Sequence, residues 1–339
     1  MMKYIECEAP LTFSLKQKEV PQRAAGEALL KIHRVGICGT DIHAYSGNQA
    51  FFTYPRILGH ELAAEIVEID ENTQSLSVGD KVIVMPYVSC GQCHACRQGK
   101  TNCCSKINVL GVHADGGMQQ FIPVRIDLLI SANHLSYEEM AIVEPLSIGA
   151  HAIRRAQINA GEQVVVIGCG PIGIGLIKLC QILDAEVIAV DIDPARLAFV
   201  NAELGVKHLV KASPSAVDEI AKITQGNLAP AVFDATGNKT ALESGVHFMS
   251  HGGRYVLVGL SKGDLLFNHP SIHAKESTIM CSRNATLEDF EFVIKNLHQF
   301  PTKAFITHRV DLQDMIEHFD TWLDPKSKVI KAMVNFDIA

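Results

Sequence analysis

Five of the ten cysteines in this 339-residue chain lie within one short segment, CGQCHACRQGKTNCC. Cys90, Cys93 and Cys96 have the spacing C-x2-C-x2-C, and Cys104 follows eight residues later. Four thiolates complete a closed tetrahedral zinc site. Since the loop between them has no hydrophobic periodicity, metal binding would supply its folding energy. We therefore predict a structural-zinc lobe, which performs no chemistry itself.

The same cysteines allow other interpretations. Cys103 can replace Cys104 as the fourth ligand, although we favour Cys104. The spacing also occurs in iron–sulfur proteins, and disulfides suit an exported chain. The N-terminal stretch MMKYIECEAPLTFSLK lacks the apolar segment of a signal peptide. We therefore expect a cytoplasmic protein, in which clustered cysteines bind metal rather than form disulfides.

A second set of potential ligands is spread over the segments GICGTDIH, LGHELAAEIV and IVEPLSIGAH. They offer one thiol, one imidazole and two carboxylates: Cys38, His60, Glu61 and Glu144. Mixed ligands of this kind suit zinc, and three protein ligands leave a position open for substrate, as in a catalytic site. Taken singly, each residue also fits an ordinary structural role, such as a buried thiol or a helix-entry carboxylate. Only the combination indicates a metal site.

The segment VVVIGCGPIGIGLIKLC predicts a strand, a glycine-rich turn and a helix. The pattern Gly168-x-Gly170-x-x-Gly173 follows a β-branched run, and the next strand ends at Asp191, as in dinucleotide-binding sites. Asp191 would accept hydrogen bonds from the adenosine ribose and repel a 2′-phosphate, which favours NAD over NADP. The predicted cofactor-binding residues are Gly168, Gly170, Pro171, Ile172, Gly173, Asp191, Arg196, Thr236 and Gly259.

The chain length predicts two domains. Strand and helix patterns alternate over residues 149–286, which predicts an α/β domain with a doubly wound parallel sheet and includes a helix at 238–250. Residues 1–148 show short strands, such as those at 27–35, 64–69 and 81–85, as in a β-rich barrel. A net charge of −7 without basic runs argues against nucleic acid or membrane partners.

Together these motifs resemble the zinc-dependent medium-chain dehydrogenase/reductase family over essentially the whole chain. GICGTDIH and GHE are similar to its catalytic-zinc segments, and the lobe has its structural-zinc spacing. The resemblance implies a Rossmann-type NAD-binding domain at 149–286 and a GroES-like barrel at 1–148 and 287–339, with the active cleft between them. It also implies two zinc ions per chain and a homo-oligomer, either a dimer or a tetramer.

The resemblance further implies roles for individual residues. Glu144, followed by proline, resembles the sorbitol and threonine dehydrogenase branch, in which this Glu binds zinc or holds its water. Glu61 is the other candidate carboxylate, for catalysis or as a ligand, and the choice between the two stays open. Thr40 and His43 match a hydroxyl and an imidazole that pass the alcohol proton to solvent.

The segments GNQAFFTYPRILGHE and SRNAT resemble bacterial sugar-acid dehydrogenases. We therefore expect a small-molecule sugar acid or polyol whose secondary alcohol is oxidised to a ketone. Arg283 is a candidate partner for a substrate carboxylate, or else a cofactor or interface contact. His113, Phe51 and Phe52 are candidate pocket residues, the two phenylalanines equally as barrel core or lid. The alternatives are a sorbitol-type dehydrogenase, L-threonine 3-dehydrogenase and a non-catalytic zinc- and NAD-binding protein.

Overall fold

The structure is a computed structural model that describes residues 1–49 and 52–337. The chain divides into two compact units. Unit 1 comprises Met1–Glu144 and Thr302–Ala339, and unit 2 comprises Pro145–Pro301. Within the described ranges, no helix combines the length and the apolarity that a membrane span requires.

Short strands dominate the first part of unit 1. They are β1 (Met2–Ala9), β2 (Thr12–Lys18), β3 (Glu27–Ile37), β4 (Glu61–Glu68), β5 (Lys81–Val84), β6 (Tyr87–Val88), β7 (Asn108–Val109), β8 (Phe121–Arg125) and β9 (Leu129–Ser131). The helices between and after them are α1 (Gly39–Tyr45), α2 (His94–Arg97), α3 (Tyr137–Ala141) and α4 (Val143–Ala156), of which α4 continues into unit 2.

Unit 2 alternates strands and helices. Its strands are β10 (Gln163–Ile167), β11 (Glu186–Asp191), β12 (His208–Lys211), β13 (Ala229–Asp234), β14 (Met249–Leu257) and β15 (Thr278–Cys281). Its helices are α5 (Pro171–Ile182), α6 (Pro194–Leu204), α7 (Ala216–Ile223), α8 (Lys239–Ser244), α9 (His269–Ala274) and α10 (Leu287–Asn296). The chain then returns to unit 1 through α11 (Thr302–Phe305), β16 (Ile306–Asp311), α12 (Met315–Leu323) and β17 (Lys331–Asn335).

The main sheet of unit 1 joins strands that lie far apart in the sequence. Its order is β16-β17-β3-β4-β5-β9, and β8 also pairs with β3. The C-terminal strand β17 runs antiparallel to β3, so the last part of the chain completes the β-rich unit that its first part begins. Buried aliphatic side chains of β3 and β4, including Leu30, Ile32, Leu62 and Ile66, form its core.

The sheet of unit 2 is parallel throughout, in the order β12-β11-β10-β13-β14-β15. The chain moves outward from β10 in one direction and then from β13 in the other, which confirms the predicted doubly wound sheet. In such sheets ligands bind at the carboxyl ends of the strands, where the order reverses. Here that point lies between β10 and β13.

The helix predicted at 238–250 is shorter in the structure. The α-helix ends at Ser244, a 3-10 helix continues it over Gly245–Phe248, and the chain enters β14 at Met249. The buried Tyr255 hydroxyl donates a hydrogen bond to the Leu242 carbonyl at 2.9 Å, so a side chain satisfies this oxygen near the helix end.

The unit boundaries, 144/145 and 301/302, also differ from the predicted 148/149 and 286/287. Helix α10 accounts for the larger difference, because it is tied to α4 within unit 2. The buried Asp289 of α10 accepts from Arg154 Nε at 2.8 Å and lies 2.9 Å from His151 Nδ1. Burial alone would raise the pKa of Asp289, but hydrogen bonds from His151, Arg154 and the Thr286 amide outweigh it and lower that pKa.

We predict that Asp289→Asn lowers the free energy of unfolding at pH 7 by about 2 kcal/mol, the value of a hydrogen bond to a charged group. Because the folded-state pKa lies below the ordinary value of 3.8, this stability is fully present above that value and is lost as the pH falls through the folded-state pKa. Urea denaturation of the full chain from pH 7 down to pH 3 should therefore show that the difference in unfolding free energy between Asp289→Asn and wild type becomes smaller.

Glu288→Gln is the matched control, since Glu288 also pairs with Arg154 but its side chain is 71% exposed. It should change stability by less than about 0.5 kcal/mol. An equal loss in both variants, or a loss in Asp289→Asn that grows toward acid pH, would contradict this account of α10.

Candidate active site

The cysteine lobe brings four thiols together. The sulfurs of Cys90, Cys93, Cys96 and Cys104 all lie within 4.8 Å of one another, whereas Cys103 is exposed and outside the group. In the described part of the chain every cysteine is a free thiol, so no disulfide competes with this arrangement. Backbone amides of Cys96 and Ser105 lower the pKa of Cys93 to about 5, and such thiolates suit a zinc site.

A two-stranded ribbon forms the base of the lobe. Strands β6 and β7 flank the cysteine segment and pair antiparallel, with Tyr87 opposite Val109. The Leu110 amide donates to the Pro86 carbonyl at 3.1 Å just beyond the ribbon. The ribbon thus holds together the two ends of the loop that carries the four thiols.

The second ligand set forms where β3 and β4 meet. Cys38 directly follows β3, His60 directly precedes β4, and Glu61 is the first residue of β4. Because these strands pair antiparallel with Gly36 opposite Glu61, residues distant in sequence become neighbours. Ligand atoms of Cys38, His60 and Glu61 lie within 4.8 Å of one another.

Asp41 ties the two segments of this site together. Its buried carboxylate accepts hydrogen bonds from the Cys38 amide at 2.8 Å and the Gly59 amide at 3.2 Å. Asp41 was not predicted from the sequence, although it is the third residue of α1, where a carboxylate reaches back to the amide before the helix.

The buried His60 supports metal binding on its own geometry. It is 5% exposed, and its Nδ1 has no hydrogen-bond partner within the described residues. A buried polar atom of this kind is costly unless it binds something. With a thiol and a carboxylate beside the ring, the donor set fits a zinc ion.

Glu61 forms a buried ion pair that the sequence analysis also missed. Lys331 Nζ lies 2.6 and 2.8 Å from the two carboxylate oxygens and 3.1 Å from the Ile37 carbonyl. Burial lowers the pKa of Lys331, but the charges of Glu61 and Cys38 outweigh it and raise that pKa. Gly36 leaves room for this carboxylate, because a Cβ there would lie 2.0 Å from Glu61 Oε2. The only sequence signal is one lysine within the apolar run VIKAMVNF.

Glu144 lies outside the three-residue ligand group, so the structure does not bring all four predicted residues together. It is 4% exposed, and the buried Tyr87 hydroxyl donates a hydrogen bond to its Oε1. Burial raises the pKa of Glu144 to about 7, and the charge of His60 opposes that shift. Burial and the nearby Glu144 raise the pKa of Tyr87 well above its ordinary value. The sequence analysis did not identify Tyr87.

The other predicted residues of unit 1 have varied surroundings. Thr40 is partly buried and His43 is exposed, one turn apart on α1. His113 is exposed, and its Nδ1 accepts the Val109 amide at 3.0 Å, so it closes a turn after β7. Phe52 contacts the barrel core, and its ring lies 4.8 Å from that of Tyr54. Phe51 lies outside the described residues.

The glycine turn of unit 2 has the geometry of a phosphate cradle. Gly168 follows β10 with φ of 91°, and Gly170 precedes α5, whose first residues are Pro171 and Ile172. A Cβ on Gly173 would lie 1.7 Å from the Gly168 carbonyl oxygen, so only glycine lets the helix approach the turn this closely. The amino end of α5 is thus open to an anionic group.

Asp191 lies at the carboxyl end of β11, next to this turn. Its Oδ2 accepts the Cys169 amide at 2.6 Å, which directs the carboxylate toward the glycine turn. Thr236 and Gly259 follow the carboxyl ends of β13 and β14, on the same edge of the sheet. Arg196 is partly buried in the first turn of α6, and Arg283 is exposed between β15 and α10.

Comparison with known proteins identifies the family of this chain. Residues 24–134 match the alcohol dehydrogenase GroES-like domain, and residues 171–299 match the zinc-binding dehydrogenase domain. The chain is 43% identical to L-galactonate-5-dehydrogenase of Escherichia coli K12, covering 99% of each chain. It is 32% identical to sorbitol dehydrogenase of Bacillus subtilis, covering 93% of this chain and 92% of that protein.

A solved structure, alcohol dehydrogenase RspB of Escherichia coli CFT073 complexed with NADH, has the same fold. It superposes with a TM-score of 0.91 at 30% identity, covering 99% of each chain. The chain therefore belongs to the zinc-dependent, medium-chain alcohol dehydrogenase family, and it is an oxidoreductase that acts on CH–OH groups, as its motifs predict.

Proposed function

We propose that this protein oxidises a secondary alcohol of a sugar acid or polyol to a ketone, with NAD as the hydride acceptor and L-galactonate as the first substrate to test. One observation carries the proposal. A thiol, a buried imidazole and a carboxylate meet within 4.8 Å in a chain that also carries a glycine turn followed by Asp191. The similarity to L-galactonate-5-dehydrogenase supports the substrate class.

In this proposal the two metal sites have different tasks. Cys90, Cys93, Cys96 and Cys104 hold a structural zinc. Cys38 and His60, with Glu61 or Glu144, hold a catalytic zinc. When bound, the catalytic zinc supplies a Lewis acid that acidifies an alcohol, and NAD supplies the carbon that accepts hydride.

The residues of α1 provide a route for the proton that the alcohol loses. Thr40 and His43 lie three residues apart on the helix, so their side chains are neighbours on one face. The partly buried Thr40 hydroxyl can accept and donate a proton, and the exposed His43 imidazole can pass a proton to solvent. We assign these two residues to proton transfer.

The two carboxylates near the thiol differ in charge balance. Lys331 compensates Glu61 through both of its oxygens, whereas the neutral Tyr87 hydroxyl contacts Glu144. Glu61 belongs to the ligand group, and Glu144 is the second acidic group available to the metal or to its water. Substrate recognition by Arg283 and His113 is part of the same proposal, with Arg283 as the cation that a sugar-acid carboxylate requires.

Two further properties belong to this proposal. Free thiols throughout the described chain support a reducing, cytoplasmic location. In the described part of unit 2, β15 pairs only with β14, and Leu260 and Leu266 nearby are 83% and 73% exposed. An open strand edge and exposed leucines support a homo-oligomer, either a dimer or a tetramer.

We predict that L-galactonate gives the highest kcat/KM in a panel with other hexonates, sorbitol, galactitol and L-threonine. The preference over the uncharged polyols should be about tenfold or more, the value of one charge-assisted hydrogen bond to a carboxylate. NADH formation is the measurement. Faster oxidation of sorbitol would favour the polyol alternative, and activity on threonine alone would overturn the sugar-acid assignment.

We predict that Cys38→Ser folds, binds NAD and loses about 1,000-fold or more in kcat, because a Lewis acid stabilises the transition state by several kcal/mol. Its zinc content should fall from two ions per chain to one. Cys103→Ser is the control, since Cys103 lies outside both ligand groups, and it should keep both ions and full activity. A fully active Cys38→Ser protein would refute catalysis at this site.

We predict that Asp191→Ser lowers kcat/KM for NAD about 10- to 100-fold, since the carboxylate that accepts hydrogen bonds from the ribose hydroxyls is lost. The ratio of NADP to NAD activity should rise, because the negative charge that repels a 2′-phosphate is gone. Steady-state kinetics with both cofactors test this. Asp218→Ser removes the same charge from an exposed position on α7 and should leave the ratio unchanged. An unchanged ratio in Asp191→Ser would show that another residue selects the cofactor.

A further inference from the structure

Tyr87 connects the cysteine lobe to the catalytic ligand cluster. It is the first residue of β6, the strand that enters the lobe, and it is 5% exposed. Cys90, the first thiol of the lobe, is the third residue after it. Its hydroxyl reaches Glu144, which follows the first residue of α4. Tyr87, at the base of the cysteine lobe, thus contacts the Glu144 carboxylate, a candidate ligand of the catalytic metal site.

The hydroxyl of Tyr87 has a task that its ring alone does not explain. A phenylalanine at position 87 would place an equally large ring in the same buried space. The hydroxyl instead donates to Oε1 of a carboxylate that is 4% exposed. Hydrogen bonds of this kind orient metal-binding carboxylates, and their loss typically weakens metal binding about 10- to 100-fold.

Glu61 and Glu144 are held by different kinds of side chain. Lys331 holds Glu61 through two oxygens in a space that only a glycine at position 36 leaves open. The Tyr87 contact on Glu144 carries no formal charge, so it directs this carboxylate without neutralising it. The two carboxylates therefore differ in the charge of the side chain that holds them.

We propose that Tyr87 is a positioning residue for the catalytic metal site, acting through its hydrogen bond to Glu144 and held in place by the β6–β7 ribbon of the cysteine lobe. This inference rests on the proposed function, because it requires a metal at Cys38 and His60. Tyr87 itself is not assigned a contact with substrate, cofactor or metal.

The test uses the full-length, zinc-loaded protein. A chelator removes the more labile zinc, Co²⁺ is titrated into the emptied site, and the affinity and the visible absorption bands of Co²⁺ are recorded. Tyr87→Phe should bind Co²⁺ about 10- to 100-fold more weakly and with shifted bands. Its thermal unfolding and its NAD affinity should stay close to those of wild type.

Tyr45→Phe is the matched control. Tyr45 is also buried in unit 1, and its hydroxyl donates to the Asp320 carboxylate at 2.8 Å, away from the candidate ligands. Its Co²⁺ affinity and bands should equal those of wild type. Unchanged affinity and bands in Tyr87→Phe would overturn the proposal, because a purely structural tyrosine predicts that result.

A double-mutant cycle with Glu144→Gln tests the route of the effect. If Tyr87 acts through Glu144, adding Tyr87→Phe to Glu144→Gln should weaken Co²⁺ binding no further. An equal additional loss in that background would overturn the proposed route. If wild type and Cys38→Ser bind Co²⁺ alike, the catalytic metal site itself is refuted, and the proposed function fails together with this inference.

Discussion

The antiparallel pairing of β3 with β4 is the contact on which the candidate active site depends. Its register sets Gly36 opposite Glu61, and this brings the thiol that follows β3 beside the imidazole that precedes β4. A shift by one residue would turn every side chain of a strand to the opposite face. The buried aliphatic side chains of both strands resist such a shift, so core packing fixes the geometry of the ligands.

The buried carboxylates of unit 1 find their partners in distant parts of the chain. Lys331, from the C-terminal strand, pairs with Glu61, and Tyr87, from the base of the cysteine lobe, contacts Glu144. Burying either carboxylate alone would be expensive. The return of the chain to unit 1 after Pro301 therefore completes the site as well as the sheet, because it delivers the cation that Glu61 requires.

The sequence was informative where one local pattern determines structure. The glycine turn, the four-cysteine spacing and the alternating strands of unit 2 are local, and the structure agrees with them. Asp41 was missed although its capping position on α1 is a local signal. Lys331 and Tyr87 were missed because their partners come near only through tertiary folding. The end of α8 and the place of α10 were misjudged for the same reason, since Tyr255 and Asp289 make contacts that no local pattern contains.

The closed lobe has a consequence for how the protein can be inactivated. The ribbon at its base carries Tyr87, which contacts the buried Glu144. Disorder in the lobe can therefore also change the position of Glu144. An oxidant that reaches the partly buried thiols of Cys90, Cys93 and Cys96 would free the ribbon and then the Glu144 carboxylate near the candidate metal ligands. Damage to the cysteine lobe would in this way disturb the candidate active site.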